Sequence, residues 1–508
     1  LWCEPGGARS DVASVATASG IGVSRGEGGV GADGIRPSGS FLPGWSSQRP
    51  GAGLDQGSAM TEHFDAIVIG MGPGGEVAAS QLLRAGKRVA VVERELIGGE
   101  CGYWACIPSK TLLRPPEAKG EVDRAAGVDG AELDWPATRD YRDYMIRHLD
   151  DSNQVKGYEK AGATVLKGVA RVTGPGRVDV DDQTYSAEHI VVATGSDASI
   201  PPIPGLDQVP VWTNREATTL TEIPQRAVMI GGSAVGVELG LFLRRFGARV
   251  TILEIADRLL AREEPRPGEL TEQYLRDEGI DVRTNTNAVR VHRDGNDTVV
   301  ELDGGGEVRC DVIIVGTGRT PRAGDLGLET VGIELGERGQ VVVDDHCRAG
   351  DGVWALGDVT GVMPFTHVAM YMGRVIADNI AGKERVARYD GIPRVVFADP
   401  EVAAVGLTTQ QAEQRGLSPV TAEVDLSHAI ARPWTYENNP RGHLGVLADR
   451  DRRILLGAWA VGPQASEWIH TAALAVREQI PVERLLDQVA QFPTYNEGWL
   501  NGIQRLKF

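Results

Sequence analysis

From Gly70 to Glu93, and again from Gly231 to Glu254, the chain repeats one pattern of punctuation. That repeat narrows the folds open to it more than any other feature. In the first copy, Asp65 to Gly70 is a short apolar run followed by Met71-Gly72-Pro73-Gly74-Gly75. A helical stretch over residues 76–85 comes next, then Gly86 and Lys87, then the apolar run Arg88 to Glu93. Strand, glycines, helix, strand and terminal acid predict a unit that cradles a dinucleotide. Gly70 allows a tight turn, Gly72 lets backbone approach a pyrophosphate, and Gly75 lets helix pack on strand. Gly74 belongs to the same loop. The helix N-terminus faces the phosphates, and Glu93, 23 positions after Gly70 (93 − 70), accepts hydrogen bonds from ribose hydroxyls.

The second copy runs from the strand Ala227–Ile230 through Gly231, Ser233 and Gly236 into a helix over residues 237–246. It ends on Arg249 to Glu254, and Glu254 is again 23 positions after the first glycine (254 − 231). Ser233 replaces the middle glycine with another small residue. Two such units imply two dinucleotides, most simply FAD and a nicotinamide. A carboxylate at Glu254 suits the free 2′-hydroxyl of NAD and repels the 2′-phosphate of NADP. Arg258 and Arg262 lie nearby and are read as solvated surface arginines, so NAD is expected ahead of NADP.

Between the two units, Cys101 and Cys106 stand in the stretch Gly98 to Lys110, with Gly99 just before them. The chain has five cysteines: Cys3, Cys101, Cys106, Cys310 and Cys347. A structural zinc normally takes four ligands, and no second Cys pair exists. A chain of 508 residues builds its own core without a disulfide framework. The pair opens a predicted helix, where backbone N–H groups and the macrodipole favour thiolate. The expectation is a reactive pair cycling between dithiol and disulfide, with Cys310 and Cys347 as inert apolar fillers.

The formal charge of −18 argues against nucleic acid and against an anionic membrane surface as partners. No apolar run is long enough for a membrane helix, and scarce cysteines suit the cytoplasm. Residues 1–59 are rich in Gly, Ser, Ala and Arg without apolar periodicity. They are expected to be a disordered extension, with a transit peptide as the alternative, before Met60 leads into the first strand.

With these residues in hand, the chain resembles the class I flavoprotein disulfide reductases, the family of dihydrolipoamide dehydrogenase, glutathione reductase and mercuric reductase. The resemblance runs from residue 63 to the C-terminus. Besides the glycine units and the Cys pair, it rests on Ile190 to Ser196 with Thr194-Gly195-Ser196 beside FAD. It rests also on Val315 to Pro321 with Gly318 on the NAD side, on Ala355 to Asp358, and on Arg394 to Glu401. The resemblance implies an α/β fold of two Rossmann-like domains, for FAD and NAD, plus a C-terminal α+β dimerisation domain. FAD would take residues 60–208 and 325–390, NAD 209–324, and the dimer interface 391–508. It implies Asp358 on the ribityl chain, Cys106 facing the flavin, Cys101 attacking substrate, and Lys110 paired with Glu238 near the flavin. Electrons would run from NADH to FAD to the Cys pair and then to a small-molecule disulfide, in a homodimer. No metal ligand set is expected.

One position breaks the pattern. The family's dithiol reductases carry a base in a His-Pro-Thr-x-x-Glu stretch given across the dimer. Here that stretch is Phe492-Pro493-Thr494-Tyr495-Asn496-Glu497, so Glu497 is kept and the His is not. Tyr495 is read as packing ahead of proton donation, His470 as structural, and His367 as closer to the chemistry. The loss opens three alternatives: a quinone or diaphorase-type reductase, a mercuric reductase-like enzyme lacking the usual C-terminal Cys pair, or a flavin-loaded scaffold subunit.

Overall fold

The structure, a computed structural model, describes residues 62–508. The extension expected over residues 1–59 lies outside them. Both repeated units fold as parallel sheets. In the first, Val353–Ala355, Gln183–Val192, Glu62–Ile69, Val89–Glu93 and Thr164–Lys167 lie side by side and parallel. Ala66, Ile67, Val68, Val89, Ala90 and Val91 are fully buried, as a parallel sheet covered on both faces requires. The first strand begins at Glu62, earlier than its apolar run, because Glu62–Phe64 pair with Tyr185–Ala187. The helix Pro73–Arg84 covers this sheet and packs against Thr366–Ile380. Their backbones meet closely, for a Cβ added to Gly373 would lie 2.6 Å from the Gly74 carbonyl oxygen.

The second parallel sheet takes Asp281–Arg283, Arg249–Leu253, Arg226–Ile230, Val312–Val315 and Val211–Trp212 in that order. Helix Ala234–Arg245 packs on it and is buried nearly all round. The antiparallel ribbon Ala288–Asp294, Asp297–Leu302, Glu307–Cys310 sits between its last strands in sequence. A two-stranded pairing of Ser196–Ala198 with Arg319–Pro321 ties the exits of the two units together. The C-terminal sheet is antiparallel, ordered Pro393–Val396, Glu401–Gly406, Leu455–Gly462, His443–Asp449, Pro419–Asp425. Helix Ala465–Arg477 and helix Glu497–Gln504 cover it. Among the described residues no helix is long and apolar enough to cross a membrane.

Three arginines from three parts of the chain converge on two buried carboxylates. Arg124 ends the helix Cys106–Arg124 and bonds Asp399 at 2.8 Å and Glu437 at 2.7 Å. Arg245, at the end of its helix, reaches Asp399 at 2.8 Å. Arg441 reaches Asp399 at 2.8 Å and Glu437 at 3.2 Å. Burial alone would raise the Asp399 pKa, but Arg441, Arg245 and Arg124 outweigh it and hold the carboxyl at about 2. Removing one partner from such a cluster strands buried charge and costs roughly 3–5 kcal/mol. Asp399→Asn should lose about that much in urea unfolding at neutral pH. The folded-state pKa lies below the unfolded value of about 3.9. The wild-type advantage over Asp399→Asn should therefore be full above pH ~4 and shrink as pH falls towards 2.

Candidate active site

The two glycine loops are built alike. Gly70 has φ +98° and Gly231 φ +107°, conformations that favour glycine. A Cβ on Gly75 would collide with the Gly70 carbonyl, and one on Gly236 with the Gly231 carbonyl. Each terminal acid is tied to its own loop. Glu93 accepts from the Met71 N–H at 2.8 Å and the Glu95 N–H at 2.7 Å. Glu254 accepts from the Gly232 N–H at 2.6 Å and the Ala256 N–H at 2.8 Å. The 23-residue spacing thus also closes each loop on its second strand, a contact that sequence reasoning missed. A Cβ on Gly72 would meet nothing within 4 Å, so the first loop is open at the position where a pyrophosphate approaches. Open backbone, a helix N-terminus and a carboxylate at the strand end fit FAD. At Gly74 a Cβ would strike Leu356 and Ala369, so helix packing also requires a glycine there. Gly99 presses on the same loop, its notional Cβ 2.7 Å from the Gly72 Cα.

The two thiols do not share one helix, as the sequence suggested. Cys101 lies in a short helix, Gly99–Tyr103, which breaks at Trp104 and Ala105, and a new helix starts on Cys106. The break is held from outside. Arg215 lies over the Trp104 ring at 4.1 Å and bonds Glu100 at 2.7 Å. Asn214 donates to the Trp104 carbonyl at 2.8 Å. Cys106, as the first residue of its helix, sits where orphan N–H groups favour thiolate. Its sulfur is 3.2 Å from the Thr366 hydroxyl. Hydrogen bonding from Cys101, then Thr366 and the Lys110 cation, hold the Cys106 thiol below its ordinary pKa despite burial. Hydrogen bonding to Cys106, burial and nearby negative charge hold the Cys101 thiol above its own. The first negative charge of the dithiol is thus favoured on Cys106 over Cys101.

One turn further on, the Lys110 ammonium reaches Glu238 at 2.7 Å. Glu238 comes from the helix of the second glycine unit and is almost fully buried. Its other oxygen accepts from the Phe397 N–H at 3.0 Å, and the Lys110 ammonium lies 4.6 Å from the centre of the Phe397 ring. Thr366 and Phe397 complete the surroundings of the pair. Phe397 falls in the Arg394 to Glu401 stretch noted in the sequence, but nothing there pointed to its contact with Lys110, nor to that of Thr366 with Cys106.

Asp358 follows the strand Val353–Ala355 and accepts from the Ser196 hydroxyl at 2.6 Å. Arg319 donates to that hydroxyl at 2.6 Å and lies 3.6 Å from Asp358. Thr194 donates to the Arg322 carbonyl at 2.6 Å, and Gly195 (φ +73°) makes the turn beside it. In the second unit Ser233 donates to the Gly316 carbonyl at 2.9 Å, two residues before Gly318 (φ +146°).

At the C-terminal stretch Phe492 is 65% exposed. Glu497 accepts from the Thr494 N–H at 3.0 Å and so stabilises the start of its own helix. Tyr495 is buried and stacked on Trp468 at 5.5 Å, and its hydroxyl has no partner among the described residues. Burial pushes that phenol up, which suits packing and not proton transfer. His367 bonds no thiol among the described residues: its Nε2 meets the Pro393 carbonyl at 2.9 Å, and burial lowers its pKa. His470 is exposed on its helix.

Two dinucleotide cradles flanking a dithiol, with Lys110 paired to the buried Glu238, define a nicotinamide- and flavin-linked thiol oxidoreductase. Comparison with known proteins agrees. Residues 64–373 match the pyridine nucleotide-disulphide oxidoreductase family, and residues 392–501 match its dimerisation domain. The chain is 35% identical over 455 residues to a dihydrolipoyl dehydrogenase of Thermus scotoductus, covering 87% of this chain and 97% of that one. It is 34% identical over 438 residues to a mercuric reductase of Streptomyces lividans, covering 83% and 92%. Among solved structures it resembles the HOCl-induced flavoprotein disulfide reductase RclA of Escherichia coli. The TM-score is 0.78 at 28% identity, with 87% of this chain and 100% of that one covered. This chain belongs to the pyridine nucleotide-disulphide oxidoreductase family, and is an FAD-dependent enzyme that uses NAD(P)H.

Thr366→Val keeps the side-chain shape and removes the hydroxyl beside Cys106. The pH midpoint for iodoacetamide alkylation of Cys106 in the reduced protein should rise by about one unit, the size of one hydrogen bond to a charged group.

Proposed function

We propose that the chain is an NADH-dependent disulfide reductase whose Cys101–Cys106 pair passes electrons to a small disulfide without the imidazole its relatives' motif provides. The observation that carries this reading is the placement of the two thiols: Cys106 is the first residue of its helix, 3.2 Å from the Thr366 hydroxyl and one turn from Lys110, while Cys101 lies in the short helix just before it. FAD, when bound, supplies two-electron transfer between nicotinamide and dithiol. Lys110 and Glu238 hold a cation beside that route. Asp358, Ser196 and Arg319 form a hydrogen-bonded set that suits the ribityl chain, and Glu93 with Gly72 suits the adenosine half. Cys101 is then the nucleophile that opens the acceptor disulfide, and Cys106 resolves the mixed disulfide.

Glu254 supports NADH. Arg258 is engaged by Asp257 at 3.0 Å and by the Ala261 carbonyl at 3.1 Å, so it is not held out for a 2′-phosphate. We assign residues 60–208 and 325–390 to FAD, 209–324 to NAD and 391–508 to a homodimer interface. Exposed Val489 and Phe492 support a second subunit covering that stretch. A reducing cytoplasm suits a working dithiol.

Phe492 favours a second reading, in which quinones take electrons without needing a thiol base. Lipoamide, glutathione disulfide, menadione and mercury(II), compared side by side, separate the two. A best kcat/KM with a disulfide supports the first reading, and activity confined to menadione sinks it. In anaerobic titration Cys106→Ser should consume about one NADH fewer per subunit than the wild type. Phe492→His should raise disulfide kcat/KM by about 10–100-fold over wild type, within the range of general acid–base catalysis. No gain with any disulfide would show that position 492 is not a base site in this chain. NADH should outperform NADPH, and Glu254→Ala should narrow the difference.

A further inference from the structure

Four residues, Gly102 to Ala105, join the two thiols. Of these, Trp104 and Ala105 belong to neither helix, with φ −134° and −130°. This bridge is gripped by one short helix, Asn214–Thr218, which follows the strand Val211–Trp212 of the second parallel sheet. The grip takes hold at both ends of the bridge. The Arg215 guanidinium bonds Glu100, directly before Cys101, through Nη2 at 2.7 Å and Nε at 3.1 Å. The same group covers the Trp104 ring at 4.1 Å and reaches Glu95 at 2.8 Å, which fixes the plane of the fork. The Trp104 carbonyl, two residues before Cys106, accepts from the Asn214 amide at 2.8 Å and the Thr218 hydroxyl at 3.1 Å. Asn214 also donates to Glu100 at 3.0 Å. Asn214 and Thr218 are buried, so a bond lost there would leave a polar group without water. A capping box on Thr213 and Glu216 in turn holds the start of the gripping helix.

We propose that Arg215 is a positioning residue for the redox pair: by gripping the bridge between the thiols it sets their dithiol–disulfide equilibrium. The inference rests on the redox cycling of Cys101 and Cys106 proposed above. A disulfide closes only when the two Cα atoms and the Cβ directions fall in a narrow range. Trp104 and Ala105 lie outside both helices, so the grip adds order to the bridge that neither helix provides. With the bridge held, closing the pair needs little further ordering. With it released, the chain must be ordered as the bond forms, and the effective concentration of one thiol at the other falls. Ordering one backbone residue is worth about tenfold in an equilibrium constant. Arg215 carries more of this than its neighbours, because one guanidinium holds Glu100 at one end of the bridge and Trp104 at the other. A lysine there would keep the charge for Glu100 but lose the planar face laid on the ring.

The test equilibrates the full-length, FAD-loaded protein anaerobically with graded ratios of oxidised to reduced dithiothreitol. Acid quench, alkylation and peptide mass mapping then give the fraction of Cys101–Cys106 disulfide. In this exchange the protein dithiol gives two electrons and two protons to oxidised dithiothreitol. One S–S bond forms in the protein and one breaks in the reagent. Arg215→Ala should lower the equilibrium constant for disulfide formation about tenfold, which raises the potential of the pair by about 30 mV. Arg215→Lys should recover part of that shift. Thr218→Val removes a hydroxyl from the Trp104 carbonyl and keeps the side-chain shape; it should move the constant the same way by about threefold. Should Arg215→Ala fail to fold, Thr218→Val decides the matter alone. A lowered urea midpoint beside an unmoved dithiothreitol equilibrium would make the grip a structural joint only and overturn the proposal, as would a shift towards disulfide. A wild type that forms no Cys101–Cys106 disulfide at any ratio would sink the redox reading itself. A wild type that cycles beside unshifted variants would sink only the role of Arg215.

Discussion

The ion pair between Lys110 and Glu238 is the contact on which the arrangement of this enzyme turns. Lys110 belongs to the helix that starts on Cys106, and Glu238 to the helix of the second glycine unit. Their 2.7 Å bond therefore fixes the helix of Cys106 to the second glycine unit. Glu238 is buried, so an unpaired carboxylate there would carry a large desolvation cost. The Phe397 N–H satisfies its second oxygen and brings the C-terminal sheet into the same joint. The far end of the redox helix repeats the device, with Arg124 on Asp399 and Glu437. One helix is thus anchored by charge at both ends, and the thiol at its start inherits a fixed position.

That rigidity explains the polarisation of the dithiol. Because the chain breaks at Trp104 and Ala105 between the thiols, the Lys110 cation, one turn along the helix of Cys106, acts on Cys106, while the Thr366 hydroxyl bears on both thiols. On one continuous helix both thiols would have felt much the same backbone field. Arg215, Glu100 and Asn214 maintain the break. They lie after the first nucleotide unit in sequence, on the path into the second, so the separation of the thiols depends on tertiary contacts.

Much of the fold was legible because its signals are local. Gly70 and Gly231 need positive φ, Gly75 and Gly236 need the space of a missing Cβ, and Glu93 and Glu254 sit at one fixed offset. Each requirement is met within one strand-turn-helix-strand unit. The Cys pair and its partners Lys110 and Glu238 were legible through the resemblance. Thr366 and Phe397 were not, because an ordinary threonine and phenylalanine acquire meaning only when distant segments converge. The helix break escaped for the same reason. The packing role of Gly74 was not legible, because its missing Cβ makes room for Leu356 and Ala369, which come from a distant part of the chain.

Phe492 shows why local position does not exhaust function. Thr494 and Glu497 are retained around it, and Glu497 still holds the Thr494 N–H. The turn has kept its structure while losing the group that moves a proton. What Glu497 and Thr494 still do is local: their hydrogen bond sets the start of the last helix, a task that does not depend on which side chain stands at position 492.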